Sequence, residues 1–158
     1  MIAMTNAVTL RLLERGEDER MARLFFRLSP ETVYRRFLTH YSDPHALRPL
    51  LDVDGHTRVA VVAADPEGEI IGVARYTRLI ADPDSAEISV VVQDESQGRG
   101  IGLLLLTALA HHARAAGVHS FTGTMLSTND ACAALMRRAL PGVRFARSNG
   151  ETTLHADL

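Results

Sequence analysis

The chain has 158 residues, of which 46% are hydrophobic and 23% are charged, and its formal net charge is −2. These values are typical of one soluble globular domain with a sizeable core, and the slight negative charge gives no electrostatic case for nucleic-acid binding. No apolar run could span a bilayer, no signal-peptide pattern opens the chain, and the single cysteine, Cys132, excludes an internal disulfide, so a cytoplasmic protein without a membrane partner is expected.

The first third of the chain predicts one strand followed by two helices. Residues 8–12 alternate between apolar and polar side chains, as in a half-buried strand. A helix is predicted over residues 17–28 because apolar side chains recur there with i, i+3, i+4, i+7 spacing: Met21, Leu24, Phe25 and Leu28. The serine and proline at 29–30 are typical of an N-cap and a first helical position, so a second helix follows to about residue 38. Residues 41–49 are predicted to form a loop with one helical turn.

The remainder predicts strands interrupted by two further helices, at residues 101–116 and 129–140. Turn signals at Asp65–Gly68 and at Asn149-Gly150 indicate two hairpins. The strands are expected at residues 58–64, 69–79, 86–93, 118–126, 143–146 and 152–156. This order favours a single α/β layered domain over residues 1–158, with a mostly antiparallel sheet flanked by about four helices.

A glycine-rich turn separates the predicted strand 86–93 from the helix after it. Its sequence is Gln97-Gly98-Arg99-Gly100-Ile101-Gly102. The first backbone N–H groups of a helix have no partner within the helix and lie at the positive end of its dipole, so this turn is suited to hold a phosphate. The same glycines could instead serve only as a flexible strand-to-helix connection.

Two other phosphate-binding motifs are excluded. All 17 basic side chains are arginine, so the lysine of a Walker-type loop is absent, as is any lysine for Schiff-base chemistry. The glycine spacing also lacks the last step of the dinucleotide-binding fingerprint. In addition, the helix is not expected to belong to a parallel βαβ unit.

The turn and its setting resemble the GNAT superfamily of N-acetyltransferases. The family's hallmark is Gln/Arg-x-x-Gly-x-Gly/Ala between its fourth strand and third helix, and residues 97–102 match it fully. The segment order matches over essentially the whole chain. The resemblance implies a GNAT-like fold and an acyltransferase that uses acetyl-CoA as cosubstrate and an amine as acceptor.

Within the superfamily, residues 28–38 and the segment Ala86-Glu87-Ile88 resemble bacterial Pat-type protein lysine acetyltransferases. Pat enzymes usually carry an additional regulatory or synthetase-like domain, for which 158 residues leave no room. The resemblance therefore implies either a stand-alone catalytic domain or a relative with another acceptor.

The resemblance also assigns roles to individual residues. Glu87 is the candidate catalytic base, since strand alternation places it on one face with Ser89 and Val91, and a glutamate there faces the acceptor cleft in the family. An exposed strand carboxylate is the alternative. The candidate cofactor-binding residues are Val90, Val91, Val92, Gln97, Gly98, Arg99, Gly100, Ile101, Gly102, Leu103 and Asn129.

Some of these residues have simpler explanations, and one expected residue is missing. Asn129 is equally typical of a helix N-cap, and Arg99 of a solvated side chain. Many relatives place a tyrosine, the general acid, where this chain has Met136, so the general acid is unassigned. Arg75, Tyr34 and Tyr76 are further candidates for the acceptor cleft.

Several properties stay open at this stage. No metal site is predicted, because the adjacent histidines at 111–112 cannot both face one ion from a helix. Cys132 is interpreted as a small core residue rather than a nucleophile. A non-catalytic acyl-CoA-binding regulatory module is the alternative to an enzyme. The acceptor (a protein lysine or a small amine), the acyl length and the oligomeric state, a homodimer included, are not determined.

Overall fold

The computed structural model describes residues 8–37 and 52–158, with the side chains of residues 8–33 and 52–158. The predicted loop at 41–49 lies outside the described residues. The elements are β1 (Thr9–Leu12), α1 (Asp18–Phe26), α2 (Pro30–Phe37), β2 (Arg58–Ala64), β3 (Ile70–Arg78), β4 (Ser85–Val92), a 3₁₀ turn (Asp94–Ser96), α3 (Ile101–Ala115), β5 (Ser120–Leu126), α4 (Asp130–Ala139), β6 (Arg144–Ser148) and β7 (Glu151–Asp157).

The strands form one seven-stranded sheet in the order β1-β2-β3-β4-β5-β7-β6. Every neighbouring pair is antiparallel except β4 and β5, which run parallel. The predicted α/β layers with a mostly antiparallel sheet are confirmed.

One prediction about the topology was wrong. Helix α3 is the crossover of a parallel β4-α3-β5 unit, whereas the sequence indicated no such unit. The parallel ladder joins only Ser85–Glu87 to Ser120–Thr122. A parallel sheet is usually recognised from several continuous hydrophobic runs in the sequence. This parallel ladder is short and has antiparallel strands on both sides, so it does not produce that pattern.

The two faces of the sheet bury separate cores. On one face, α3 packs Leu105, Leu106 and Leu109 against strand residues such as Ile88 and Phe121. On the other face, α1 packs its apolar stripe against β2, β3 and β4. The stripe is the predicted one, because its members are all buried: Met21, Leu24, Phe25 and Leu28. The sheet is therefore covered on both sides near its centre.

The predicted helix and turn boundaries agree with the structure within a few residues. The Ser29 hydroxyl accepts a hydrogen bond from the Thr32 backbone N–H at 3.1 Å, which caps α2. At the β6–β7 hairpin, Asn149 and Gly150 adopt φ angles of 53° and 80°, the left-handed conformation that a tight hairpin requires. The longest described helix, α3, has 15 residues, and no described helix meets the length and hydropathy that a bilayer crossing requires.

A carboxylate holds the turn that leads into β2. The Asp54 side chain accepts hydrogen bonds from the backbone N–H groups of His56, Thr57 and Arg58, at 2.9, 2.7 and 2.8 Å. These bonds, led by that of Arg58, lower the pKa of Asp54 from 3.8 to about 2. The ionised form of Asp54 is therefore favoured in the folded protein.

This depressed pKa predicts a pH-dependent stability. A carboxyl whose pKa is lower in the folded state stabilises the fold above its unfolded pKa and loses that contribution as the pH falls toward about 2. Asp54→Asn should lower the free energy of unfolding at pH 7 by about 1 kcal/mol, after allowance for the solvent exposure of the group. Urea unfolding measured between pH 6 and pH 3 (roughly the range in which a carboxyl begins to titrate) should show a shallower pH dependence for the variant.

The exposed Glu67, whose side chain has no described hydrogen bond, provides the matched control. Glu67→Gln should follow the wild-type pH dependence. Parallel curves for the wild type and Asp54→Asn would contradict the prediction.

Candidate functional site

The central feature of the site is a cleft between β4 and β5. The two strands pair only as far as Glu87 and Thr122, although β4 continues to Val92 and β5 continues along β7 to Leu126. Beyond Glu87 the strands separate, so the edge of β4 that faces β5 has no strand partner. A cavity of about 430 Å³ occupies this gap.

Several elements build the walls of the cavity. Residues Ile88–Val92 contribute from β4, and Thr124 and Met125 from β5. The glycine-rich turn and the first residues of α3 line one end. Helix α4 lines a side with residues that include Cys132 and Met136. The structure thereby brings together most of the residues predicted to bind the cofactor: Val90, Val91, Val92, Gln97, Gly98, Gly100, Ile101, Gly102, Leu103 and Asn129.

The glycine-rich turn directs free backbone donors toward this end of the cavity. Gly98 and Gly100 have φ angles of 79° and 81°, which favour glycine. Among the described residues, the backbone N–H groups from Gly98 to Leu103 have no acceptor, and the first turn of α3 contains no acidic residue. Free N–H groups and the positive end of a helix dipole together form an anion site.

The two side chains at the turn that were predicted to bind the cofactor have different surroundings. The Gln97 amide donates to the Val92 carbonyl at 2.9 Å, so it ties the turn to the end of β4. Arg99 is exposed and does not line the cavity. It lies in a second hollow of about 310 Å³ with Asp65 and Glu95. The structure thus places the Arg99 side chain apart from the other predicted residues.

The Asp94 carboxylate anchors the glycine-rich turn to the start of α2. Asp94 accepts hydrogen bonds from the Ser29 backbone N–H and the Thr32 hydroxyl, both at 3.1 Å. These bonds outweigh burial and hold the pKa of Asp94 below its usual value. Because Thr32 also lines the cavity, Asp94 fixes the start of α2 against the cavity wall.

Glu87 lies where β4 and β5 begin to separate. Its side chain is exposed, and within residues 8–37 and 52–158 it makes no hydrogen bond or ion pair. It shares a sheet face with Ser89 and Val91, as the alternation predicted, since Ala86 and Ile88 lie in the α3 core and Val91 in the α1 core. Glu87 itself does not line the cavity, whereas Ser89, two positions along the same face, does.

Helix α4 and its N-cap contribute Asn129, a predicted cofactor-binding residue, together with Cys132 and Met136. The Asn129 side chain accepts the Cys132 backbone N–H at 3.1 Å, so it is an N-cap and also lines the cavity. The Cys132 thiol is half-buried, and burial raises its pKa, which favours the protonated thiol. Met136 is buried and lines the cavity, at the position where many GNAT relatives are expected to have a tyrosine.

The acceptor-cleft candidates are divided by the alternation of β3. Arg75 pairs with Ser89 and therefore shares the face of Glu87. Tyr76 was wrongly included, because it points to the opposite face, where it is fully buried beside Phe121 in the α3 core. The side chain of Tyr34 lies outside the described part.

The structure also adds cavity residues that no sequence pattern had indicated. Thr32, Thr124 and Arg138 are examples, none of which was a candidate site residue. Helical spacing places Arg138 on α4 but gives no sign that it borders a ligand site. In the part of the chain that the structure describes, no group of three or more His, Cys, Asp or Glu side chains could hold a metal ion.

Comparisons with known proteins agree with this architecture. The sequence profile of the acetyltransferase (GNAT) family matches residues 19–140. The chain is 35% identical over 125 residues to the acetyltransferase Pat of Mycolicibacterium smegmatis, a match that covers 78% of this chain and 38% of that protein. It is 38% identical over 81 residues to the L-methionine sulfoximine/L-methionine sulfone acetyltransferase of Pseudomonas aeruginosa, covering 49% of this chain and 47% of that protein.

Among solved structures, the GNAT domain of S. lividans PAT superposes with a TM-score of 0.84 and 27% identity, covering 100% of this chain and 99% of that domain. The chain spans less than half the length of the two curated relatives. The family profile, the relatives and the shared fold all lead to one assignment: the chain belongs to the GNAT family of acetyltransferases.

Proposed function

We propose that the protein transfers an acetyl group from acetyl-CoA to a primary amine, by direct attack of the amine within a ternary complex. The observation that carries the proposal is the cleft beside the unpaired edge of β4, which ends at the free N–H groups of Gly98 to Leu103. A ligand with an anionic end and an extended polar arm matches both parts of this cleft.

In this proposal, the pyrophosphate and the pantetheine arm of acetyl-CoA occupy different parts of the cleft. The pyrophosphate lies against the N-terminus of α3, where Gly98 and Gly100 let the backbone approach it closely. The pantetheine arm follows Val90, Val91 and Val92, whose backbone groups on the β5 side have no strand partner, and passes the Asn129 amide. From Val92 to Glu87 the strand covers about 17 Å, so the thioester is directed toward Glu87.

Glu87 then prepares the amine. An alkyl ammonium has a pKa near 10.4 and is mostly protonated at neutral pH, and only its neutral form attacks a thioester. The exposed Glu87 carboxylate takes the proton directly or through a water. The nitrogen forms a bond to the acetyl carbon, the C–S bond breaks, and CoA leaves as a thiolate that acquires a proton. Because a thiol is a tolerable leaving group, Met136 in place of a hydroxyl need not prevent this step.

The acceptor and the domain organisation are parts of the proposal. The similarity to Pat supports a protein lysine, and the similarity to the methionine sulfoximine acetyltransferase supports a small amine. We treat residues 1–158 as a single cytoplasmic catalytic domain, supported by one continuous sheet and by the lone cysteine. The second candidate function is a non-catalytic acyl-CoA-binding module, which Met136 favours because the cavity has no tyrosine hydroxyl at that position.

Replacing the proposed base separates the two functions. Glu87→Gln keeps the size of the side chain but cannot accept the proton, so kcat should fall by about 100-fold or more while the KM for acetyl-CoA stays unchanged. Release of free CoA, followed with a thiol reagent across a panel of amines and lysine peptides, measures both constants. Glu95→Gln, a change at an exposed carboxylate near the turn, serves as the control and should keep wild-type kcat. Tight CoA binding with no turnover by the wild type would support the binding module instead.

Strain at the turn should weaken cofactor binding specifically. Gly100→Ala places a Cβ on a residue with φ of 81° and disturbs the N-terminus of α3, so the KM for acetyl-CoA should rise about 10-fold. Gly142→Ala is the matched control, because Gly142 has the same φ, also has open space around a Cβ, and does not line the cavity. Both variants should lose similar stability in thermal unfolding. An equal rise in KM for both would show that general destabilisation, and not the turn, controls binding.

A further inference from the structure

The half-buried Arg75 guanidinium on β3 has few partners for its charge. Its Nη1 atom is buried without a hydrogen-bond partner, and its Nη2 atom donates only to the Thr77 hydroxyl, at 3.3 Å. Within the described ranges, no carboxylate lies within ion-pair distance of it. A buried charge left unpaired is costly, so such a group is retained where something else compensates it.

Two neighbouring arginines, Arg58 and Arg78, have the ion pairs and hydrogen bonds that are typical of a structural role. Arg58, on the adjacent strand, pairs with Asp52 at 3.1 Å and with Asp54 at 3.6 Å. Arg78, on the same strand as Arg75, donates to the backbone carbonyls of three other residues. Arg75 has neither kind of partner. Burial, together with the positive charge of Arg58, lowers the pKa of Arg75 and outweighs the opposing effect of the Asp52 carboxylate.

The position of Arg75 links it to the site. It lies opposite Ser89 in the β3–β4 ladder, and Ser89 lines the cavity. Glu87 lies opposite Thr77, so Arg75 and Glu87 are diagonal neighbours on one sheet face, a separation of about 7–8 Å that long side chains can bridge. One small molecule can therefore present an ammonium group to Glu87 and an anionic group to Arg75.

We propose that Arg75 binds a carboxylate carried by the acceptor, so that the preferred acceptors are free amino acids rather than lysine side chains within a protein. The proposal rests on the proposed function, since it takes Glu87 as the site of the amine. A planar guanidinium matches a carboxylate through two parallel hydrogen bonds, which orients the acceptor as well as binding it. A carboxylate also supplies the charge that Arg75 lacks in the free protein.

Matched pairs of acceptors test this assignment. L-methionine is compared with 3-(methylthio)propylamine, and L-phenylalanine with 2-phenylethylamine, since each amine differs from its amino acid only by the carboxylate. An internal lysine in a capped peptide is the third class. The wild type should favour the amino acid of each pair by about 10-fold or more in kcat/KM.

Substitutions at Arg75 should remove this preference alone. Arg75→Met should lower kcat/KM for the amino acids by about 10- to 100-fold, mainly through KM, and change that for the decarboxylated amines by no more than about 3-fold. Arg75→Lys should recover part of the loss, because it keeps the charge but not the fork. Arg114→Gln removes an exposed charge on α3, far from the cleft, and should leave every acceptor unaffected.

Stability gives a second readout that a structural role would move in the opposite direction. If Arg75 is held for a ligand, Arg75→Met relieves an unpaired buried charge and should raise the unfolding temperature. A purely structural arginine would lower it. Wild-type acetylation of amines without a carboxylate preference, or of the lysine peptide alone, would overturn the inference and leave the proposed function intact.

If no amine is acetylated at all, the proposed function fails, and Arg75 is then tested by binding. Calorimetric titration of L-methionine into the CoA-loaded protein should give heat with the wild type and none with Arg75→Met. Absence of binding to the wild type would overturn the inference as well.

Discussion

The separation of β4 from β5 after Glu87 is the constraint on which the rest of the site depends. Backbone N–H and C=O groups inside a sheet are normally paired, and those of an unpaired edge are free to form hydrogen bonds with another chain or a ligand. Here the edge is not at the margin of the sheet but in its middle, between strands that are each paired on their other side. The fold thereby keeps a row of donors and acceptors available while both strands stay anchored.

Several contacts hold together the elements that surround this opening. Gly123 on β5 lies beside the Ile88 carbonyl, where an added Cβ would come within 3.3 Å, so a small residue permits close approach at the point of divergence. Gly102 plays a similar part between helices, because a Cβ there would lie 3.0 Å from Leu135. Asp94 joins the turn to the start of α2. The cavity walls therefore come from different parts of the chain that are tied together near the glycine-rich turn.

Most of the fold, but only part of the site, could be predicted from the sequence. Helix α1 was predictable because Met21, Leu24 and Phe25 follow the helical repeat. The β6–β7 turn was predictable because an Asn-Gly pair, here Asn149-Gly150, strongly favours a tight hairpin. The parallel pairing was missed because its ladder is too short to leave a pattern. Arg99 belongs to the motif, yet its side chain lies outside the cavity. Tyr76 and Arg75 are adjacent on β3, so their side chains point to opposite faces of the sheet. Motifs predict backbone geometry well, whereas the direction of a side chain depends on register and packing.

The absence of lysine from these 158 residues has a consequence for the chain as a substrate. In place of lysine the chain has 17 arginines, whose guanidinium groups remain protonated and are not nucleophiles at neutral pH. These 158 residues therefore offer an amine-directed active site, as proposed for this protein, no side-chain amine. Under the proposed function, no side chain among these 158 residues can itself become ε-acetyl-lysine.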